Sequence, residues 1–180
     1  MIFIGIDPSI NSTGICAISS KSECFSLVVP AITKPMSKYE ESVKSSGIGF
    51  SYVEYDKYES NKDTHINEIH KSVNLMNAAD AIMSSIESLC TKFKGKQKAY
   101  VVMEGISYGS TLKTKSVFDL AGFNYLIRDR LHKSKRIAGF AISPPSEIKK
   151  FATGSGNAVK GLVSLVFKST HKWASNFQKI

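Results

Sequence analysis

Two carboxylates stand at the ends of short apolar runs: Asp7 closes MIFIGID and Glu104 closes AYVVME. An acid at the end of a buried strand is held by stiff backbone while its head faces a cleft. If the two strands are parallel neighbours, Asp7 and Glu104 emerge side by side at one sheet edge. Carboxylates held that close repel, raising one pKa unless a cation neutralises them. Magnesium or manganese, hard and oxygen-loving, is the natural occupant. Acids clustered in a basic protein suit phosphodiester cleavage: metal activates water and stabilises the leaving oxygen, while lysines draw in the backbone. The plainer alternative is that each acid merely ends its strand and caps a turn. The PSINSTG that follows Asp7 is indeed turn chemistry.

A third stretch, SPPSEIKKFATGSGNAVK at 143–160, joins a Pro-bounded strand end, the paired Lys149 and Lys150, a Gly-rich turn and a helix start at Asn157. Backbone N–H groups from Gly154 through Gly156 and Asn157 to Ala158, with the N-terminus of the following helix, make a phosphate-friendly surface. Lys160, on the first turn of that helix, faces the same phosphate. Charge supports a polyanionic partner. Residues 1–91 carry 7 Lys against 11 acids, a net of −4, whereas residues 92–180 carry 17 Lys and Arg against 4 acids, a net of +13. Nucleic acid is the simplest such partner, a solvated basic face the alternative.

These side chains need a scaffold. Met1–Ile6, Thr13–Ile18 and Cys24–Val29 read as strands, the first two as a hairpin. Residues 30–65 read as an irregular insertion, with Gly49–Tyr58 as an extended arm presenting tyrosines. Helical spacing of Ile66, Ile69, Val73, Met76, Met83, Ile86 and Leu89 predicts a helix over Ile66–Cys90 with that stripe in the core. AYVVMEG is a strand, and Thr111–His132 a helix whose broad buried face is Val117, Leu120, Ala121, Asn124, Leu126, Ile127 and Leu131. Arg136–Ser143 is a strand ended by Pro144 and Pro145, and Asn157–Phe167 a last helix. The order predicts one α/β domain over residues 1–180, a mixed five-stranded sheet with three antiparallel strands and then parallel ones, covered by helices on both faces. No run of eighteen apolar residues and no signal-peptide pattern occurs, so a membrane or secreted protein is not indicated. Cys16, Cys24 and Cys90 read as reduced core thiols of a cytoplasmic protein.

GIDPSINSTG, VVMEG and SPPSEIKKFATGSGNAVK, in this order, resemble the RuvC-like Holliday junction resolvases of the RNase H-like superfamily. The resemblance runs from residue 1 to about 160 and is weakest at 30–65. The NSTG and GSGNA versions look like the bacteriophage branch, which would put the protein in a host-cell cytoplasm. The resemblance implies an RNase H-like fold and a homodimer that binds four-way DNA junctions, nicking two strands symmetrically with magnesium or manganese. It assigns Asp7 and Glu104 as metal ligands and counts them, with Lys160, as catalytic. It places Lys149 or Lys150, and Lys160, near the scissile phosphate, and Tyr108 near the junction centre. Ser9 and Asn11 in the first turn, with Gly154, Gly156 and Asn157, join the DNA-binding set. The helix at 111–132 would supply much of the dimer contact.

The family completes its metal site with acids, or a histidine and an acid, on a helix after the lysine matching Lys160. No Asp or Glu follows Glu147 here, and His171 is the remaining metal-capable side chain. Two main readings follow: a resolvase whose site is completed by His171 or by a partner, and a RuvC-like protein that grips branched nucleic acid without cutting it. GIDPSINSTG is also similar to the first phosphate loop of actin-like and sugar-kinase-like ATPases, which need a second, similar half.

Overall fold

A computed structural model describes residues 1–21, 23–32, 37–55, 64–93, 97–106 and 114–170. Its elements are β1 (Ile2–Asp7), β2 (Ser12–Ser19), β3 (Cys24–Ile32), α1 (Ser37–Ser45), β4 (Gly49–Phe50), β5 (Val53–Glu54), α2 (Thr64–Lys92), β6 (Ala99–Glu104), α3 (Thr114–Lys133), β7 (Ile137–Ser143), α4 (Pro145–Thr153) and α5 (Lys160–Thr170).

Strand β1 alternates strictly: Ile2, Ile4 and Ile6 are buried, while Phe3, Gly5 and Asp7 face outward. That two-residue period is what a half-buried strand requires. β1 pairs antiparallel with β2, which pairs antiparallel with β3. On its other side β1 runs parallel to β6, and β6 parallel to β7. The sheet order is β4-β3-β2-β1-β6-β7, with β5 also on β3. This is the mixed, helix-flanked α/β arrangement that the order of elements predicts.

Among the described residues the sheet has seven strands rather than five. The insertion at 30–65 is not irregular throughout: it supplies α1 and the two-residue strands β4 and β5, both parallel to β3. They occupy an edge that β3 would otherwise leave open. Gly49 is needed there, because a Cβ would come within 2.9 Å of Leu27 Cδ1 and 3.1 Å of the Ser26 carbonyl oxygen. Tyr52 is exposed as expected of the arm, but Tyr55 is half-buried and donates to the Ile10 carbonyl at 3.2 Å. Burial pushes its phenol pKa up.

Helices α2 and α3 cover one sheet face. Ile82, Ile86 and Leu89 of α2 and Phe123, Ile127 and Leu131 of α3 meet Ile4, Val101 and Met103 in the core. Lys71–Asp119 at 2.7 Å and Arg130–Asp80 at 2.8 Å bridge the two helices. The predicted apolar stripe of α2 is only half core, since Ile66, Ile69 and Met76 are exposed. A 29-residue helix spans about 44 Å, whereas a six-residue strand spans about 20 Å, so the first turns outrun the sheet. Ile48, beyond α1, and Ile148 of α4 flank the other face.

The chain after β7 also departs from expectation. Pro144 and Pro145 end the strand but begin α4, where proline fits the first turn because its missing N–H has no partner to lose. Gly154, at φ +79°, closes α4 with its N–H on the Lys150 carbonyl at 2.8 Å. The last helix accordingly starts at Lys160 rather than Asn157. All three cysteines are free, but only Cys90 is buried. Cys16 and Cys24 are half-buried, their Sγ atoms 3.6 Å apart, and burial with the neighbouring Cys16 pushes the Cys24 thiol to about 12. Among the described residues no helix is long and apolar enough to cross a membrane.

Candidate active site

The acid pair is built by strand register. Ile6 lies opposite Met103 in the parallel β1–β6 ladder, so the next residues on both strands, Asp7 and Glu104, leave the sheet together. A tight turn follows Asp7. The buried Thr13 hydroxyl donates to the Ser9 carbonyl at 3.0 Å and accepts from the Ser9 N–H at 3.2 Å. Glu104 sits between Asp7 and β7. Gly105 donates to the Ser143 carbonyl at 2.8 Å, and a Cβ on Gly105 would come within 3.1 Å of Ile142.

Glu104 is pushed from its usual 4.5 to about 7. Burial is the leading cause, followed by the hydrogen bond with Asp7 and the Asp7 charge. The charges of Lys160 and Lys149 pull the other way. Glu104 thus lies beside a second carboxylate, with two ammonium groups close enough to be felt. Such a pair accepts a hard divalent cation readily, because the cation removes the repulsion that the proton now relieves. Two carboxylates fit one magnesium ion whose remaining positions go to water and phosphate. Among the described residues no group of three or more His, Cys, Asp or Glu side chains could hold a metal. His171 and Tyr108 lie outside the described residues.

The lysines separate in the structure. Lys149 is half-buried and its charge reaches Glu104; Lys150 is exposed on the next position round α4. Lys160 lines a cavity of about 170 Å³ with Asp7, Glu104, Gly105, Leu120 and Asn124.

The phosphate-friendly turn is smaller than expected. The N–H groups of Gly154, Ser155 and Ala158 are spent on Lys150, Thr153 and Ser155, which leaves those of Gly156 and Asn157. Gly156 packs so closely that a Cβ would come within 3.2 Å of the Ser146 carbonyl. Asn157 and Asn11 are exposed. Ser9 faces a small space beneath the turn with Ile10, Thr13 and Phe123 rather than the acids.

One residue at the site was read from sequence only as part of a helix face. Asn124, 1% exposed, donates from Nδ2 to the Glu104 carbonyl at 3.4 Å. The available signal was an amide among apolar residues at core spacing. On the other side of the acids, a groove of about 680 Å³ crosses the second sheet face over Gly5, Gly14, Cys16, Val28 and Val102.

No family model and no curated protein matches this sequence. Among solved structures the chain is similar to RuvC of Thermus thermophilus, at 13% identity over 94% of this chain and 79% of that one, with a TM-score of 0.47. It is similar also to T. thermophilus RuvC in complex with a Holliday junction substrate, at 10% identity over 94% of this chain and 77% of that one, with a TM-score of 0.49.

Proposed function

We propose that this protein is a divalent-metal-dependent endonuclease of the Holliday junction resolvase type, acting on branched DNA as a homodimer. The observation that carries the reading is the parallel β1–β6 register, which sets Asp7 against Glu104 and leaves Glu104 holding a proton near neutral pH. Asp7 and Glu104 would hold magnesium or manganese, which when bound supplies an activated water and neutralises charge on the phosphate. Glu104 would have to give up its proton to hold such a cation. Lys149 and Lys160 draw the phosphodiester to the acids, and the free N–H groups of Gly156 and Asn157 offer the backbone a second anchor. The basic second half supplies the long-range attraction.

The homodimer reading is supported by the outer face of α3. Phe118 is 71% exposed and Tyr125 62% exposed, on either side of Gly122, where an added Cβ would meet nothing within 4 Å. Two such faces meeting about a two-fold axis would bury both aromatics.

The second reading, a binding protein that grips branched DNA without cutting, is favoured by one observation: the described residues supply two carboxylates and no third metal ligand. A labelled four-way junction, incubated with the protein and magnesium, manganese or chelator, separates the two. Paired symmetric nicks that require metal support the resolvase. Tight, shape-selective binding without nicks supports the binding protein. Neither binding nor nicking overturns both.

A further inference from the structure

Two thiols meet on the sheet face opposite α2 and α3. In the β2–β3 ladder Cys16 lies opposite Ser26 and Cys24 opposite Ile18, so Cys16, Cys24 and Ser26 share one face. The Cys16 and Cys24 Sγ atoms are 3.6 Å apart, and the Ser26 hydroxyl donates to Cys16 Sγ at 3.7 Å. A disulfide needs its sulfurs about 2.0 Å apart, so closing this pair takes a shift of about 1.6 Å. The third cysteine, Cys90, is buried on α2 in the core and lies out of reach of both.

The two sulfurs are not equivalent. Cys16 lines the groove of about 680 Å³ that crosses this face, together with Ser26. Cys24 is held as a thiol: burial first, then the charge and hydrogen bond of Cys16, push it up to about 12, against a pull from Ser26. Its S–H is accordingly the donor between the sulfurs, and Cys16 Sγ accepts both it and the Ser26 hydroxyl. An accessible sulfur that accepts two hydrogen bonds is placed to attack, and a thiol beside it is placed to resolve.

We propose that Cys16 and Cys24 are a dithiol pair that a small disulfide, oxidised glutathione, converts to a reversible cross-strand disulfide, with Cys16 attacking and Cys24 resolving. The Cys16 sulfur, its proton passed to water, attacks one sulfur of the oxidant. A bond forms between Cys16 and one glutathione, and the other leaves as its thiolate and takes up a proton. Cys24 then gives its proton to solvent and attacks Cys16 Sγ, releasing the second glutathione, which is protonated in turn. Two protein thiols are oxidised, and one small disulfide is reduced to two thiols. Capping Cys16 removes its charge, one of the causes that hold Cys24 up, so the first step eases the second. Diagonal partners stand farther apart than directly opposed ones, so closure draws β2 and β3 together. A disulfide under such strain is readily reduced, which makes the link reversible. No step of it depends on the nuclease reading.

The test incubates the full chain with oxidised glutathione, folded and in urea. Remaining thiols are then alkylated in denaturant, and intact mass and a peptide map are read. Expected for the folded wild type are loss of two hydrogens, alkylation at Cys90 alone, a peptide joining Cys16 to Cys24, and return of all three thiols with dithiothreitol. Cys24→Ser should instead accumulate glutathione on Cys16, and Cys16→Ser should stay unmodified over the same time. Three free thiols in the wild type, glutathione left on either cysteine without closure, or a bond to Cys90 or to a second chain would each overturn the proposal. So would closure in urea as fast as in the folded chain, since the placement of the sulfurs by β2 and β3 would then contribute nothing. Glutathione collecting on Cys24 in Cys16→Ser as readily as on Cys16 in Cys24→Ser would overturn the division of roles. If either variant fails to fold, the wild-type map and the urea comparison decide.

Discussion

At the scale of single residues, Asp7 and Glu104 sit in different surroundings although both are carboxylates. Asp7 is exposed at the mouth of the cleft, and Glu104 is half-buried behind it. Asp7→Asn is expected to abolish metal-dependent nicking of a four-way junction while leaving junction binding intact in a gel-shift assay. Retained nicking would remove Asp7 from the mechanism. Glu104 also makes a pH prediction. Its folded pKa, about 7, lies above its usual 4.5, so the folded state binds a proton more tightly than the unfolded one. The stabilisation is fully present below 4.5 and is lost as pH rises through about 7. Thermal unfolding in chelator should therefore show the melting temperature falling between pH 4.5 and 7, with Glu104→Gln flattening that decline. Magnesium affinity should rise over the same interval, because binding must displace the proton.

At the scale of elements, α4 sets its two lysines in different surroundings. Lys149→Glu should lower junction affinity and nicking together, since its charge is felt at Glu104. Lys150→Glu should weaken binding to every DNA shape alike. Reversing both should flatten the salt dependence of binding by about one unit of slope for each phosphate that is no longer neutralised. On α3, Phe118→Asp with Tyr125→Glu should shift sedimentation from dimer to monomer with little change in melting temperature, because neither side chain is in the core. An unchanged dimer would direct the search to another face. The long elements were legible because their periodicity repeats: β1, β2, β3, α2, β6, α3 and β7 lie within a few residues of expectation. β4 and β5 were not, because two-residue strands carry no period, and α4 was hidden because paired prolines read as a stop before they read as a helix start.

At the scale of the whole molecule, the chain divides its charge between a slightly acidic first half and a strongly basic second half. Junction affinity should accordingly fall steeply between low and physiological salt, and a binding curve that ignores salt would argue against a nucleic-acid partner. The order of residues is enough to dictate the alternation that buries one face of β1 and β6, and with it the pair of acids at strand ends. It also allows β1 and β6 to be parallel neighbours, as the folded sheet makes them. Those are local signals, repeated along the chain. Other features arise only when distant segments pack together. Lys149 rather than Lys150 acts on Glu104, because α4 begins at Pro145 and sets the rotation of its side chains. The turn at 154–158 spends most of its N–H groups on itself. Asn124 reaches the Glu104 carbonyl from 20 residues away, a meeting that no spacing along the chain encodes.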